Sequence, residues 1–274
     1  MSLLVKICGL YTRETLEVAL EAGADMVGFV FFPPSPRHLS LEMARDLGKQ
    51  AKRRAIKVAL TVDADDAKLS NIVEALEPDI LQLHGRETVA RLRDIKQKFG
   101  LEVMKAIAVE SAADLASLPG YAAVADRMLF DARPPKGATR PGGLGAVFDW
   151  HLLENLDLKL PFMVSGGLNA ENVAQALRVT RAGGVDVSSG VERAPGVKDG
   201  EMIRAFIRAA RASDSHSPLP VHGERSDRSC DPGEGEPPHS RSSTNLRQEP
   251  LTPTLSPQER GEGAEAARQR SNKS

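Results

Sequence analysis

The segment LLVKICGL (residues 3–10) decides the fold class of this chain. It is an apolar run that ends at a cysteine and a glycine. The next segment, Thr12–Ala22, has apolar residues spaced along one helical face. A short apolar run followed by helical periodicity indicates a strand and then a helix. The same order recurs through residues 1–212, so that part of the chain is a series of strand–helix units.

The series contains eight predicted strands, with the bounds Leu3–Cys8, Met26–Phe32, Ile56–Val62, Ile80–His84, Glu102–Val109, Arg127–Asp131, Phe162–Ser165 and Val185–Ser188. The predicted helices are Thr12–Ala22, Leu41–Lys52, Asp65–Leu76, Glu87–Phe99, Ser111–Leu118, Asp149–Leu156, Asn169–Arg181 and Asp199–Arg211. Several begin at a residue type that caps helix N termini, namely Thr12, Ser40, Asp65, Ser111, Asn169 and Asp199. The charged helix Glu87–Phe99 is interpreted as a solvated outer face.

Successive strand–helix units form a parallel sheet, and right-handed crossovers close it into a barrel. The predicted fold class is therefore α/β, a single (β/α)8 TIM barrel over residues 1–212 with a disordered C-terminal extension over residues 213–274. The alternative, an open doubly wound sheet, usually has fewer strands. No Gly-x-Gly-x-x-Gly turn follows the first strand, so dinucleotide binding is not supported.

The extension differs from the rest of the chain in composition. Residues 213–274 contain no Phe, Tyr, Trp or Ile and are rich in Ser, Pro, Arg, Glu and Gly. Such a segment cannot bury enough apolar surface to offset the entropy lost on ordering, which is why disorder is predicted. A binding tail is the functional alternative, but charges of both signs are mixed there without a block.

Composition also limits the partners. The formal net charge is -1, which argues against nucleic acid as the main partner but not against a small anionic ligand. No run approaches the ~18 apolar residues of a membrane span, and residues 1–10 show no secretory signal. Cys8 and Cys230 lie in segments of different character and are interpreted as reduced thiols. A cytoplasmic protein without a membrane partner is predicted.

Functional residues of such barrels cluster at the carboxyl ends of the strands, and the opposite face serves stability. The carboxyl ends here are polar and glycine-rich, namely Cys8-Gly9, Pro33-Pro34-Ser35-Pro36-Arg37, Gln82-Leu83-His84-Gly85, Phe130-Asp131, Ser165-Gly166-Gly167 and Ser188-Ser189-Gly190. By contrast, Asp25, Asp79 and Asp186 come just after helix ends and are interpreted as turn and cap residues on the stability face.

Two of these carboxyl ends predict a phosphate site. Gly166 and Gly167 precede a predicted helix, and Ser188, Ser189 and Gly190 end the last strand. Glycine lets a ligand approach the backbone, and N–H groups at a helix N terminus favour an anion. A single Gly-Gly pair is typical of a plain turn, but loops after strands seven and eight are the usual phosphate site of this fold. The predicted partner is a small phosphorylated molecule.

Seven motifs in this order resemble those of the phosphoribosylanthranilate isomerase family of tryptophan biosynthesis, a branch of aromatic amino-acid biosynthesis, across residues 1–212. They are residues 6–10 (KICGL), 28–31 (GFVF) with 35–37 (SPR), 81–85 (LQLHG), 129–131 (LFD), 142–143 (GG) with 148–150 (FDW), 165–168 (SGGL) and 185–192 (VDVSSGVE). The resemblance implies an Amadori rearrangement of an N-linked phosphoribosyl aminoaldose to an aminoketose. It also implies no metal and no organic cofactor. The sequence does not decide between a monomer and a homodimer.

The resemblance assigns roles residue by residue. Cys8 is the expected general base, Asp131 the expected general acid and Arg37 the group that holds the anthranilate carboxylate. Lys6, Gln82 and His84 are further expected substrate-binding residues. Two departures from the family pattern stand out, namely Leu144 after Gly142-Gly143 and Ala132 after Asp131, and neither touches the acid–base pair.

Strand alternation places Lys6 on the same side as Cys8, so its cation is expected to favour the thiolate. Asp131 must keep a proton, through partial burial or the charge of the substrate. Gln82 and His84 face one side by the same alternation, and a metal role for His84 lacks a second ligand at a fitting spacing.

Two other functions remain open at this point. One is a different ribose-phosphate aldose–ketose isomerase. Enzymes of that kind typically have paired aspartates where this chain has Cys8 and Asp131, so Cys8 distinguishes the two. The other is a non-catalytic protein that binds a phosphorylated ligand, against which the intact pair argues.

Overall fold

In a computed structural model of the chain, the structure describes residues 2–134, 137–138 and 140–214. Eight parallel strands follow one another in chain order and close into a barrel, so the predicted (β/α)8 fold class is confirmed. The predicted disordered extension, residues 213–274, lies outside the described residues except for Ser213 and Asp214, which end the last helix.

The strands agree with the predicted bounds to within one residue at either end. They are β1 Leu4–Cys8, β2 Met26–Phe31, β3 Ile56–Thr61, β4 Ile80–Leu83, β5 Glu102–Val109, β6 Arg127–Ala132, β7 Phe162–Val164 and β8 Gly184–Val187. The helices are α1 Arg13–Glu21, α2 Leu41–Ala51, α3 Asp66–Leu76, α4 Val89–Phe99, α5 Leu118–Ala122, α6 Val173–Thr180 and α7 Gly200–Asp214. Short 3₁₀ helices occupy Ala112–Ser117, Trp150–Leu153 and Ser189–Val191.

The largest departures from the predicted helices lie in the second half of the barrel. The segments predicted as Ser111–Leu118 and Asp149–Leu156 form 3₁₀ turns, the first of which continues into α5. The helix predicted from Asn169 begins only at Val173, because the Asn169 side chain accepts the N–H groups of Glu171 and Asn172 and closes a separate turn first.

A hairpin after β8 was not predicted. Strands β9 (Glu192–Ala194) and β10 (Val197–Lys198) pair antiparallel outside the barrel. The turn between them contains Pro195 and Gly196, and Gly196 has a φ of +85°, which favours glycine. This Pro-Gly dipeptide is the sequence signal that could have revealed the hairpin.

Side chains alternate between the two faces of each strand, and this alternation builds two packed layers. The outer faces of the strands pack against the helices in the main apolar core. The barrel interior holds a second cluster, made of Met26, Val58, Ile80, Met104, Ala106, Leu129 and Met163. Nearer the carboxyl ends, the same inner faces carry buried polar residues, namely Lys6, Gln82, Asp131 and Asp186.

Predicted cap residues act at several helix starts. Thr12, Ser40 and Asp65 each accept the backbone N–H group three residues on, and Asp199 accepts those of Glu201 and Met202. On the opposite face, Asp25 accepts the N–H of Val5 and Asp79 that of Lys57. Asp25 and Asp79 thus lie on the predicted stability face, where they tie the segments before β2 and β4 to neighbouring strands rather than capping a helix.

The prediction for Glu87 was wrong. Thr88 caps α4, so Glu87 precedes the helix and is buried rather than solvated. Its carboxylate accepts the N–H groups of Asp63 and Gly85 and pairs with the Lys105 ammonium at 2.7 Å. The ion pair therefore fixes the loop that leads from β4 to α4.

Replacing Glu87 with Ala should destabilise the fold strongly, because it leaves the Lys105 cation buried without its partner. The expected loss is on the order of 3–5 kcal/mol in the free energy of unfolding, measured by urea titration. Lys159→Ala is the control, since the Lys159–Asp157 pair is exposed and its loss should not change the midpoint. Equal midpoints for both variants would contradict this account.

Candidate active site

A cleft opens at the carboxyl ends of the strands and encloses about 760 Å³, including the space open to solvent. Cys8 on β1 and Asp131 on β6 both line it, although they lie on strands from different sides of the barrel. Its wall also includes Arg37, His84, Asp186, Ser188, Ser189 and the segment from Arg140 to Ala146. The structure therefore brings most of the predicted site residues to one place.

Lys6 lies beneath the thiol of Cys8 rather than on the cleft wall. Its Nζ donates to Asp186 Oδ1 at 3.0 Å, and register places these two residues side by side on β1 and β8. Gly28 makes room for this arrangement, because a Cβ there would lie 2.9 Å from Cys8 Sγ and 3.1 Å from Lys6 Nζ. Asp186 is thus part of the cleft, and its interpretation as a cap on the stability face was wrong.

The surroundings of Cys8 act on its pKa in opposite directions. Burial raises the pKa of the thiol, while the Lys6 and Lys198 cations lower it and Asp186 raises it. Burial is the largest of these effects, so the pKa of Cys8 is raised overall. This net direction is opposite to the predicted thiolate bias, because burial outweighs the Lys6 cation and Asp186 opposes that cation further.

Asp131 lies at the end of a chain of polar side chains. Its Oδ2 is 3.2 Å from His84 Nε2, and its Oδ1 accepts the N–H of Ala132 at 2.9 Å. His84 Nδ1 is in turn 3.1 Å from Nε2 of Gln82, which is fully buried and does not line the cleft. A Cβ on Gly142 would lie 2.6 Å from Asp131 Oδ2, so the loop after β6 passes directly over the carboxyl group.

Arg37 is held by Glu192, which the sequence analysis did not single out. The Arg37 Nε and Nη2 atoms donate to the two carboxylate oxygens of Glu192, each at 2.7 Å. Nη2 also donates to the Gly143 carbonyl at 3.1 Å. One edge of the guanidinium is therefore occupied, and Nη1 has no acceptor among the described residues.

Lys198 was also missed, and it joins Glu192 to the predicted phosphate loop. Its buried Nζ donates to Glu192 Oε1 and to the Ser188 carbonyl, both at 2.8 Å. Burial lowers the pKa of Lys198 to about 8 despite the nearby carboxylate. The position of Lys198 in the unpredicted hairpin explains why its role was not visible in the sequence.

The predicted phosphate residues all line the cleft. Gly166 and Gly167 have φ values of +85° and +60°, which residues with a side chain rarely adopt. In the part of the chain that the structure describes, no acceptor takes the N–H of Gly167, Ser189 or Gly190. The free N–H groups of two neighbouring loops can therefore bind one anion.

The two departures from the family pattern have different surroundings. Ala132 is buried, and its N–H supports Asp131, whereas Leu144 is exposed at the edge of the cleft. Within residues 2–134, 137–138 and 140–214, no group of three or more His, Cys, Asp or Glu side chains is arranged to hold a metal ion. No described helix has the length and apolar character needed to cross a membrane.

A closed parallel barrel with a thiol, a carboxyl group and glycine-rich loops in its carboxyl-end cleft belongs to the class of (β/α)8-barrel enzymes. A profile described as N-(5'phosphoribosyl)anthranilate (PRA) isomerase matches residues 5–209. The chain belongs to this isomerase family, as its motifs predicted.

Named relatives agree with this assignment. N-(5'-phosphoribosyl)anthranilate isomerase of Bradyrhizobium diazoefficiens is 81% identical over 217 residues, which cover 79% of this chain and 97% of that protein. The crystal structure of phosphoribosyl anthranilate isomerase from Thermotoga maritima is similar with a TM-score of 0.70 at 36% identity, and covers 77% of this chain and 99% of that chain. A crystal structure of such an isomerase with reduced 1-(o-carboxyphenylamino)-1-deoxyribulose 5-phosphate has a TM-score of 0.67 at 34% identity, with 77% and 99% covered.

Replacing Lys6 with Met should raise the pKa of Cys8 further, because the nearest cation is lost and Asp186 stays. The pH midpoint for alkylation of Cys8 by iodoacetamide should move upward by roughly 1–3 pH units. Mass spectrometry of the Cys8 peptide separates this reaction from that of Cys230. Lys159→Met is the control and should leave the midpoint unchanged, since Lys159 is exposed. A lower or unchanged midpoint for Lys6→Met, in protein that melts cooperatively, would refute the account.

Proposed function

We propose that this chain catalyses the Amadori rearrangement of N-(5-phosphoribosyl)anthranilate to 1-(2-carboxyphenylamino)-1-deoxyribulose 5-phosphate in tryptophan biosynthesis. The observation that carries the proposal is the placement of Cys8 and Asp131 in one cleft beside two loops with free N–H groups. Membership of the isomerase family supports it independently.

Asp131 acts first, as the general acid. It gives its proton to the ring oxygen of the ribose, the bond from that oxygen to the anomeric carbon breaks, and the lone pair of the anthranilate nitrogen forms a protonated Schiff base. The resulting Asp131 carboxylate accepts the Ala132 N–H and lies against His84 Nε2. Hydrogen bonds to the ionised form stabilise it.

Cys8 acts second, as the general base. Its thiolate takes the proton from the carbon next to the Schiff base, and the electron pair left behind neutralises the iminium and gives an enolamine. Tautomerisation moves the hydroxyl proton to the former anomeric carbon and leaves the ketone. Lys6 supplies the cation nearest to the thiolate, and burial raises the pKa of Cys8, so the conjugate acid holds its new proton well.

The two ends of the substrate bind different groups of the same cleft. The phosphate is bound by the N–H groups of Gly167, Ser189 and Gly190, which have no acceptor among the described residues. The anthranilate carboxylate binds the Nη1 edge of Arg37, since Glu192 occupies the other edge. Binding both ends holds the sugar between acid and base, which is the role of positioning in such reactions.

Replacing either catalytic residue should lower kcat without unfolding the protein. Cys8→Ala and Asp131→Asn are each expected to lose roughly 10²- to 10⁴-fold, the contribution of one positioned acid or base. Product formation by the purified chain and growth rescue of a tryptophan auxotroph that lacks this isomerase measure the effect. Thr12→Ala is the control, since Thr12 caps α1 and does not line the cleft.

Near-normal turnover by Cys8→Ala or Asp131→Asn would overturn the assignment of roles. Failure of the unaltered chain to rescue the auxotroph, with turnover of another ribose phosphate, would instead favour a different aldose–ketose isomerase. Binding without turnover of any such substrate would favour a non-catalytic protein.

Replacing Arg37 with Met should weaken substrate binding before it affects kcat. Loss of one charge-assisted contact of ~1.5–3 kcal/mol corresponds to a KM increase of roughly 10- to 100-fold. Arg13→Met is the matched control, because Arg13 pairs with Asp46 on the exposed surface. Steady-state kinetics with both variants give the comparison, and an unchanged KM for Arg37→Met would exclude the carboxylate contact.

A further inference from the structure

We propose that Gln82 is a positioning residue that selects the ring tautomer of His84, and that His84 in this tautomer donates a hydrogen bond to Asp131. The role given to Asp131 rests on the proposed function. The tautomer itself is a property of the protein without substrate, so it can be tested separately.

The hydrogen-bond directions follow from the atoms that face one another. Gln82 Nε2 lies 3.1 Å from His84 Nδ1, and an amide nitrogen only donates, so Nδ1 accepts and carries no hydrogen. A neutral imidazole has a single N–H group, which must then be on Nε2. His84 Nε2 lies 3.2 Å from Asp131 Oδ2, so it donates to the carboxyl group.

The other end of the Gln82 amide is unpaired in either orientation, so the fate of the acid proton distinguishes the two. Gln82 Oε1 is buried and has no hydrogen-bond partner in the part of the chain that the structure describes. Turning the amide over would pair Oε1 with an N–H on His84 Nδ1 and would leave the amide nitrogen of Gln82 without a partner instead. In that case His84 Nε2 would carry no hydrogen, and its lone pair would face Asp131. The acid proton of Asp131 would then be drawn toward the ring instead of the sugar. The orientation with the unpaired oxygen is therefore the one that keeps the acid proton available to the substrate.

Both oxygens of Asp131 then face a donor once its proton has been transferred. Oδ1 accepts from the Ala132 N–H, and Oδ2 accepts from His84. The loop at Gly142 passes close to the ring, because a Cβ there would lie 3.1 Å from His84 Nε2. Gln82 sits behind the ring on the inner face of β4 and never contacts the cleft.

The experiment uses the full chain labelled with 15N and no ligand, at a pH where the ring is neutral. Two-bond 1H–15N correlation spectra report which ring nitrogen carries hydrogen, and His84→Asn assigns the signals. The unaltered protein should show hydrogen on Nε2 of His84. In Gln82→Met this preference should be lost, and in Gln82→Glu it should reverse, because a carboxylate accepts from Nδ1. In both Gln82 variants kcat should fall roughly 10- to 100-fold while KM stays unchanged, by analogy with the residues that hydrogen-bond to metal-ligating histidines.

Thr61→Val is the matched control. Thr61 is equally buried on the neighbouring strand β3, and its Oγ1 is also unpartnered among the described residues. Its replacement should change neither the tautomer nor kcat.

Hydrogen on Nδ1 of His84 in the unaltered protein would overturn the proposal, as would a fall of kcat in Gln82→Met with the tautomer unchanged. If Gln82→Met does not fold, the unaltered protein and Gln82→Glu decide the question. Failure of the proposed function would appear instead as full activity of Asp131→Asn, with the His84 tautomer still as expected.

Discussion

The pairing of β1 with β8 is the constraint on which the rest of the structure depends. It closes the barrel and sets Lys6 opposite Asp186 on the inner face. Lys6 is fully buried there, and a buried cation is costly without an anion beside it, which Asp186 supplies. The ion pair in turn sets the electrostatic surroundings of the thiol above it.

The barrel interior is consequently divided along its axis. The part farther from the carboxyl ends is an apolar cluster with no residue specific to the cleft. The part nearer the carboxyl ends holds charged and polar side chains whose burial is costly unless each has a partner. Lys6 with Asp186 and Lys198 with Glu192 meet this requirement, and Gln82 Oε1 does not. Apolar residues of similar size would stabilise this region about as well as buried ion pairs do. We therefore attribute the buried charges to the chemistry of the cleft.

The fold and most site residues could be predicted because they depend on local patterns. Alternating apolar runs gave the strands to within one residue, and the family motifs located Cys8, Asp131, Arg37 and the glycine loops in one cleft. Contacts between distant segments could not be predicted in this way. Asp186 was assigned to the wrong face because a helix end precedes its strand closely, and only the register with β1 shows that it meets Lys6. Glu192 and Lys198 depend on a hairpin whose docking against Arg37 no local pattern encodes.

The hairpin of β9 and β10 has a consequence for the selectivity of the cleft. Glu192 holds Arg37 from one side, and Lys198 connects the same carboxylate to the carbonyl of Ser188. Arg37, the proposed carboxylate contact, and the loop at Ser188, part of the proposed phosphate site, are thereby connected by buried charges. The distance between these two groups is therefore set before a ligand binds, so we expect the cleft to select ligands by their length as well as by their functional groups.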